Sequence, residues 1–423
     1  MDSIYIIKKE DNCMFDVQEK TLENGIKVAT VKKDTKIACV NCGIKIGSIY
    51  ENRQEKGISH FIEHMLFKGT SSRNNEQINT YLESIGGEYD AYTDSTNTVY
   101  SIAALDDELE HSLEILSDMF INSVFPEKEL EKEREVILAE IRSSKDDIED
   151  YSFKKVNEFA FDKSPLKHDT IGDEETVLSF KRQDILEFYN KYYVPNNCYI
   201  SIVSPFDHDK VLKLVLKYFK GWKFKEFKKN EIIIEDNIPV KKVSYRENIE
   251  QSTIVYAFTF YNITKDQELV LKVLNYKFGE SANSILFRKL REEKGLAYDI
   301  YTDLTLQKYI KVLYIYTAVA DENIEEALKT IDNCIDEIKN EKISFNNDTI
   351  QHMKKVLKTA IAFTLEDSID IGGYVLRQII NHEDIFEFIN DIEKLKYIKK
   401  EDIYNTARLV FNNPTIHIVK SQK

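Results

Sequence analysis

Apolar residues recur along the chain in two alternating patterns. Short runs of alternating or β-branched apolar residues predict strands, and longer segments with apolar positions three and four residues apart predict helices. In the first half, the predicted strands are 26–30, 37–46, 98–102 and 199–203, and the predicted helices are 75–85, 107–120, 128–144 and 182–193. This alternation, with hairpin-like strand pairs, predicts an α+β fold with helices on one face of a mostly antiparallel sheet. The pair Gly372-Gly373 predicts a turn or hinge near a helix end.

The chain contains an internal repeat. Residues 86–94 align without gaps to residues 295–303, with six of nine positions identical at an offset of 209. A second similarity, between residues 196–203 and residues 412–419, closes each half in the same order. Two similarities at nearly one offset predict a duplicated domain of about 200 residues, an ordinary domain size. We therefore expect domains at 1–222 and 243–423, joined by a linker at 223–242.

Composition and charge limit the partners of the protein. The 423 residues carry a formal charge of −15, which predicts no nucleic-acid partner because phosphate binding relies on clustered Lys and Arg. No apolar run reaches the roughly 20 residues of a membrane-spanning helix, and residues 1–9 lack a signal-peptide pattern. Five scattered cysteines form no disulfide framework. These features predict a soluble protein of the reducing cytoplasm with no membrane partner.

Two histidines in the first half have the spacing of metal ligands. His60 and His64 lie in the apolar segment 57–67, whose helical spacing stops at Gly69. Positions i and i+4 share one face of a helix, so both imidazoles can reach one metal ion. Glu63 lies beside that face and could accept a proton from a water that the metal activates. The alternative is a chance motif on an amphipathic helix, with both histidines in structural hydrogen bonds.

A third ligand is expected from the helix predicted at 128–144. Glu140 lies beside the apolar stripe of that helix, and Glu133 lies on the same side two turns earlier. An acid on an apolar face is costly unless it is paired or binds a metal. We therefore nominate Glu140 as a ligand and Glu133 as a supporting carboxylate. The alternative for Glu140 is a half-buried side chain that extends outward to solvent.

The sequence His60-Phe61-Ile62-Glu63-His64, followed by Glu140, resembles the inverted-zincin signature of the pitrilysin family of metallopeptidases. That family includes insulin-degrading enzyme and the mitochondrial processing peptidases. The flanking residues 47–51, 68–70 and 86–93 agree with the family pattern. The resemblance implies that His60, His64 and Glu140 bind one Zn²⁺ per chain, that Glu63 is the general base, and that Glu133 supports the site.

The resemblance also implies a place for the substrate. An extended peptide would add a strand beside residues 88–93, so that its main chain supplies most of the affinity. The implied substrate-binding residues are Phe61, Glu88, Tyr89, Asp90, Ala91, Tyr92 and Thr93. Asp90 departs from the family, in which many members carry Asn. The departure affects how the peptide backbone docks and leaves the zinc ligands as they are.

In the second half, residues 290–298 resemble the arginine–tyrosine element of the same family. The resemblance implies that Arg291 and Tyr298 hold the substrate backbone and help to stabilise the oxyanion of the transition state. Tyr298 also occupies the repeat position of Tyr89, which leaves an architectural role open. Short family members form dimers that enclose a chamber, and some divide the zinc motif and this element between two chains. This chain carries both elements, which favours a homodimer.

The expected activity is zinc-dependent endopeptidase cleavage of short or unfolded peptides. One alternative is a catalytically silent scaffold subunit of the same fold. Such subunits typically lose a zinc residue, and His60, Glu63, His64 and Glu140 are all present in this chain. A second alternative is a zinc hydrolase that acts on non-peptide amides, which would require a compact pocket.

Overall fold

A computed structural model describes residues 16–422 of the chain. Residues 1–9, whose pattern bears on an export signal, lie outside the described residues. Among the helices of residues 16–422, none is long and apolar enough to cross a membrane.

The described residues form eleven strands and fourteen α-helices, together with shorter 3-10 and π-type turns. The strands are β1 (Asp16–Thr21), β2 (Lys27–Lys32), β3 (Ile37–Ile44), β4 (Glu88–Thr93), β5 (Thr98–Leu105), β6 (Cys198–Ser204), β7 (Lys241–Arg246), β8 (Ser252–Thr259), β9 (Ala297–Gln307), β10 (Ile310–Val319) and β11 (Thr415–Ser421). The helices are α1 (Ile58–Leu66), α2 (Asn75–Ile85), α3 (Leu109–Asn122), α4 (Glu127–Asp146), α5 (Ile148–Ala160), α6 (Glu174–Ser179), α7 (Arg182–Tyr192), α8 (His208–Phe219), α9 (Lys265–Asn275), α10 (Ile324–Lys339), α11 (Asn347–Glu366), α12 (Ser368–Asn381), α13 (Glu387–Leu395) and α14 (Lys400–Val410). The strands and helices predicted in the first half are confirmed, with ends within three residues of the prediction.

The chain divides into two compact units, and each takes one segment from the other half of the sequence. The first unit comprises residues up to Ile141, residues 169–231 and residues 362–385. The second comprises residues 142–168, residues 232–361 and residues from Phe386 onward. The chain passes between the units several times, and one of these passages, at residues 231 and 232, lies inside the segment 223–242 predicted to be a linker. The boundaries 1–222 and 243–423 stay a prediction about domain organisation.

The first unit is built on a six-stranded sheet in the order β1-β2-β6-β3-β5-β4. The β2–β6 pair is parallel and the other four pairs are antiparallel. Strand β4 is therefore an edge strand, and among residues 16–422 it pairs only with β5. The mixed α+β class and the mostly antiparallel sheet are confirmed.

Helices cover both faces of this sheet. Tyr100 on β5 contacts Phe120 of α3 on one face, with ring centroids 5.1 Å apart. On the opposite face, α12 packs so closely on β3 that a Cβ at Gly372 would lie 2.5 Å from the Asn41 amide nitrogen. The sequence predicts helices on one face of the sheet. The structure places a further helix, α12, on the opposite face, and this helix comes from late in the sequence. It also shows that Gly372-Gly373 lies within α12, so the predicted turn or hinge was wrong.

The second unit contains a five-stranded sheet in the order β7-β11-β8-β10-β9. Its first pair, β7–β11, is parallel, as is β2–β6 in the first unit, and its edge strand β9 corresponds to β4. The two sequence similarities thus fall on equivalent strands, β4 with β9 and β6 with β11. Helix α5 packs on β8 and β11 of this sheet. The duplication predicted from the sequence is confirmed in the strand topology.

Candidate metal and catalytic site

Helix α1 carries the His60-Glu63-His64 motif. It begins after Gly57, whose φ of 90° is readily adopted only by glycine, and the chain turns again at Gly69 with a φ of 155°. Apolar side chains on several sides of α1 are buried, which places the helix inside the unit. Those side chains are Ile58, Phe61, Ile62, Met65 and Leu66. His60 and Glu63 are also buried, so their polar atoms require partners within the protein.

Helix α4 brings two glutamates to α1. Its Arg134 donates hydrogen bonds to the carbonyl oxygens of Val177 and Phe180, the second at 2.7 Å. The same guanidinium lies 5.7 Å from the centroid of the Phe61 ring of α1. Because the hydrogen-bond donors of the buried Arg134 are fixed by these contacts, Arg134 determines how α4 is rotated about its own axis relative to α1. This rotation directs Glu133 and Glu140 toward the histidines.

The structure brings His60, His64 and Glu140 together. Glu140 Oε2 lies 3.7 Å from His60 Nε2 and 3.8 Å from His64 Nε2. One ligand atom from each residue lies within 4.8 Å of the other two. The Glu140 side chain is 45% exposed, yet its carboxylate faces both rings. Two imidazoles and a carboxylate at these separations fit the donor set that zinc prefers, with a coordination position left open.

Glu133 supports the same group of side chains. Its Oε2 lies 3.1 Å from His64 Nδ1, and its Oε1 accepts an ion-paired hydrogen bond at 2.8 Å from Lys68 Nζ. The contact with Nδ1 favours the tautomer that leaves Nε2 free to bind a metal. The hydrogen bonds from His64 and Lys68 outweigh partial burial and lower the pKa of Glu133. Glu133 therefore stays charged and orients the ring.

Glu63 has a partner of its own. Thr93 Oγ1 on β4 donates a 2.6 Å hydrogen bond to Glu63 Oε2. Burial raises the pKa of Glu63, and the Thr93 hydrogen bond opposes that rise. Burial, and then the neighbouring His64, lower the pKa of His60 to about 4, so His60 is neutral near pH 7, the form that binds a metal. The site thus combines a neutral imidazole at His60 with the fixed carboxylate of Glu63.

Edge strand β4 presents alternate residues to the motif helix. Thr93 contacts Glu63, and the Tyr89 ring lies 6.4 Å from the ring of Phe67, the residue after α1. Ala91 lies between them in the alternation, so it shares their face, whereas Glu88, Asp90 and Tyr92 occupy the opposite face. Tyr89 and Tyr92 are both exposed. The free edge of β4 therefore lies beside the candidate metal site.

Phe61 requires a correction. It was predicted to bind substrate, but its side chain is 0% exposed and lies between the Phe180 ring and the Arg134 guanidinium. A fully buried ring has no surface to offer to a peptide. We assign Phe61 to the packing of α1 against α4.

Arg291 and Tyr298 lie in the second unit. The Arg291 guanidinium is 5.2 Å from the centroid of the Tyr298 ring, a cation–π contact. Tyr298 is 71% exposed on β9, at the position equivalent to Tyr89 on β4. The two residues are thus neighbours on an accessible edge, and their action on substrate stays a prediction.

Glu51 and Lys68 were missed by sequence reasoning. Glu51 accepts hydrogen bonds from the backbone N–H groups of Gly57 and Ser59 at the start of α1, each at 2.9 Å. Lys68, just past the end of α1, holds Glu133. Both residues lie in irregular segments, where no periodicity indicates which side chains turn inward. The only signal was that both fall within the flanking residues of the motif.

Sequence comparison identifies the class of protein that this fold and this group of side chains define. Residues 27–174 match the profile described as Insulinase (Peptidase family M16), and residues 179–355 match the one described as Peptidase M16 inactive domain. A protein named "Uncharacterized zinc protease" from Rickettsia felis is 32% identical over 407 residues, which cover 93% of this chain and 95% of that protein. The chain belongs to peptidase family M16.

Two further similarities agree with this assignment. The mitochondrial-processing peptidase subunit beta of Caenorhabditis elegans is 26% identical over 376 residues, 85% of this chain and 80% of that subunit. A crystal structure of a protease from Helicobacter pylori superposes with a TM-score of 0.89, covering 97% of this chain and 100% of that one at 22% identity. This structural similarity concerns the fold.

Proposed function

We propose that this protein is a zinc-dependent endopeptidase that hydrolyses short or unfolded peptides. The observation that carries the proposal is the convergence of His60, His64 and Glu140, with ligand atoms within 4.8 Å of one another. The name of the Rickettsia relative, a zinc protease, supports zinc as the metal and peptides as the substrate.

Each side chain of the site has a separate task in this proposal. His60, His64 and Glu140 hold one Zn²⁺, which supplies Lewis-acid polarisation of the scissile carbonyl and acidifies water. Glu63 accepts a proton from the attacking water on one carboxylate oxygen and delivers it to the leaving amine. Thr93 keeps the other oxygen in place through its 2.6 Å hydrogen bond. Glu133 fixes the orientation of the His64 ring.

The free edge of β4 is the proposed binding strand for the substrate. A peptide in extended conformation would pair with the unpaired backbone groups of residues 88–93 and pass beside Glu63. Main-chain pairing places little demand on sequence, which suits a peptidase of broad specificity. Tyr89, Ala91 and Thr93 would contact side chains on the metal side, and Glu88, Asp90 and Tyr92 those on the other. We further propose that Arg291 and Tyr298 bind the substrate backbone and the oxyanion.

The protein is proposed to act as a homodimer that encloses a chamber, because one chain carries both the zinc motif and the arginine–tyrosine element. We place it in the cytoplasm. Among the described residues, Cys39, Cys42, Cys198 and Cys334 are all free thiols, which agrees with a reducing compartment.

The Glu63→Gln substitution tests the function. The variant should retain zinc, because Glu63 is not among the proposed ligands, and should lose peptide cleavage by at least about 10²-fold. Cleavage of a quenched fluorescent peptide and metal analysis of the purified protein give the two readouts. Glu135→Gln is the matched control, because Glu135 is exposed on α4 and should leave both unchanged. Substantial cleavage by the Glu63 variant would contradict the assignment.

A catalytically silent scaffold is the second candidate, since residues 179–355 match a profile described as an inactive domain. A scaffold would show no cleavage in the wild-type protein, even with bound zinc. A zinc hydrolase of non-peptide amides would cleave an acetylated amino acid better than a ten-residue peptide. These assays on the purified wild-type protein therefore distinguish an endopeptidase, a silent scaffold and a hydrolase of non-peptide amides.

A further inference from the structure

The start of α1 has no capping side chain of its own. Residue 57 is in the N-cap position, where Ser, Thr, Asp or Asn would normally accept a backbone hydrogen bond. A Cβ at Gly57 would lie 2.6 Å from the carbonyl oxygen of Ile171 and 2.9 Å from the Cα of Gly172. The backbone of residues 171–172 therefore excludes any side chain at position 57. The first turn of α1 needs a hydrogen-bond acceptor from elsewhere.

Glu51 provides that acceptor. Its two carboxylate oxygens accept separate hydrogen bonds, Oε2 from Gly57 N and Oε1 from Ser59 N, both at 2.9 Å. A negative charge at this end of the helix is also stabilised by the helix dipole. Ser59 immediately precedes His60, so the carboxylate is anchored one residue before the first proposed ligand. Its two-point attachment fixes both where α1 begins and how it is rotated.

A buried lysine, Lys56, interacts electrostatically with Glu51. Burial raises the pKa of Glu51, and Lys56 and the hydrogen bonds from Ser59 and Gly57 oppose that rise. Glu51 and Lys56 are 5% and 4% exposed, and Lys56 Nζ donates a 2.9 Å hydrogen bond to the Ser48 carbonyl oxygen. Burial of two charges is expensive, and one buried pair is weak evidence for stability alone. The arrangement instead holds residues 48–59 in one conformation at the entry to the metal helix.

We propose that Glu51 is a positioning residue of the metal site that sets the location of His60 through the first turn of α1. This inference rests on the proposed zinc function. Substitution of Glu51 should therefore weaken zinc binding and turnover without changing how peptides bind.

The test compares Glu51→Gln with Glu55→Gln in the full chain. Glu55 lies in the same segment and loses the same charge, but it accepts a hydrogen bond from Asn52 N in a separate 3-10 turn. In Glu51→Gln the side-chain amide offers one oxygen and one NH₂ group to the backbone N–H groups of Gly57 and Ser59. One of these N–H groups therefore faces a donor instead of an acceptor. The dissociation constant for Zn²⁺, measured by competition with a chromophoric chelator, should rise about 10- to 100-fold. The kcat should fall and the KM should stay unchanged, whereas Glu55→Gln should behave as wild type.

Two measurements keep a folding defect separate from a positioning defect. The double variant Glu51→Gln/Lys56→Met removes both buried charges, so it should be more stable than Glu51→Gln, in which the Lys56 charge stays buried without Glu51, while zinc binding stays weak. Amide hydrogen exchange at residues 57–59 of the metal-free protein should be faster in Glu51→Gln and in the double variant than in wild type.

The proposal is overturned if Glu51→Gln matches Glu55→Gln in zinc affinity and kcat, or if the double variant recovers wild-type zinc affinity together with stability. Absence of zinc binding and cleavage in the wild-type protein would instead refute the proposed function. In that case the amide exchange of the metal-free variants still decides whether Glu51 fixes the first turn.

Discussion

Two adjacent glycines in α12 should respond in opposite directions to the same substitution. Gly372 faces β3, and a Cβ there would lie 2.5 Å from Asn41 Nδ2 and 3.3 Å from Cys39 Sγ. At Gly373, a Cβ would meet no atom within 4 Å. Both residues are helical, so alanine raises helix propensity equally at each. Gly372→Ala and Gly373→Ala therefore differ only in what the new methyl group contacts.

The expected magnitudes follow from those contacts. Replacing a helical glycine by alanine stabilises by about 1 kcal/mol, which is the whole effect expected at Gly373. At Gly372 the methyl group overpacks a filled core, at a cost of about 1–3 kcal/mol. The methyl group also displaces Asn41, whose Oδ1 accepts a 2.7 Å hydrogen bond from Ser101. Loss of this hydrogen bond costs about 1 kcal/mol more. After the gain in propensity, Gly372→Ala should destabilise the protein by about 1–3 kcal/mol.

Urea and thermal unfolding of the two variants measure the difference. For a unit of about 200 residues, 1 kcal/mol corresponds to a shift in Tm of about 2–4 °C. Gly372→Ala should unfold below wild type, and Gly373→Ala slightly above it. Equal or increased stability of Gly372→Ala would show that α12 does not pack closely on β3.

Three further predictions concern the metal site and His417, a buried histidine on β11 of the second unit. Glu133→Gln should keep the zinc ligands but weaken zinc binding about 10- to 100-fold, measured by chelator competition, because His64 loses the carboxylate that orients it. Thr93→Val should lower kcat in peptide cleavage more than Thr93→Ser, because only the serine variant keeps a hydroxyl that can donate a hydrogen bond to Glu63. Burial lowers the pKa of His417 to about 4, so the unfolded state takes up the proton first and stability should fall as pH drops from 6.5 toward 4. The loss at pH 5 is about 2 kcal/mol, and urea unfolding of His417→Asn should show a flatter pH dependence.

Much of the fold was predictable because the elements of the first half have strong local patterns. The period of α2 and α7 and the β-branched run of β3 determine these elements from neighbouring residues alone. The spacing of His60 and His64 placed both on one face of α1, and the apolar stripe of α4 directed Glu140 toward them. The resemblance of residues 86–94 to residues 295–303 located two equivalent edge strands.

The remainder depended on contacts between residues that are distant in sequence. Helix α5 belongs to the unit built mainly from the second half of the sequence, and α12 to the unit built mainly from the first half. Hydrophobic periodicity predicts a helix but does not indicate which unit it joins. The glycine at position 372 is required because β3 approaches it closely within α12, whereas its local sequence favours a turn. Phe61 is buried by Phe180, more than a hundred residues later. Glu51 lies in an irregular segment, where hydrophobic pattern says nothing about side-chain direction.

The placement of α12 affects the order in which the protein is completed on the ribosome. The first unit includes residues 362–385, so the face of its sheet that α12 covers stays open until synthesis has passed residue 385. The strands and the metal helix therefore emerge long before the helix that covers Cys39 and Asn41. A chain stopped before residue 362 would lack that cover, so the unit that bears the metal site is completed only after most of the second unit has been synthesised.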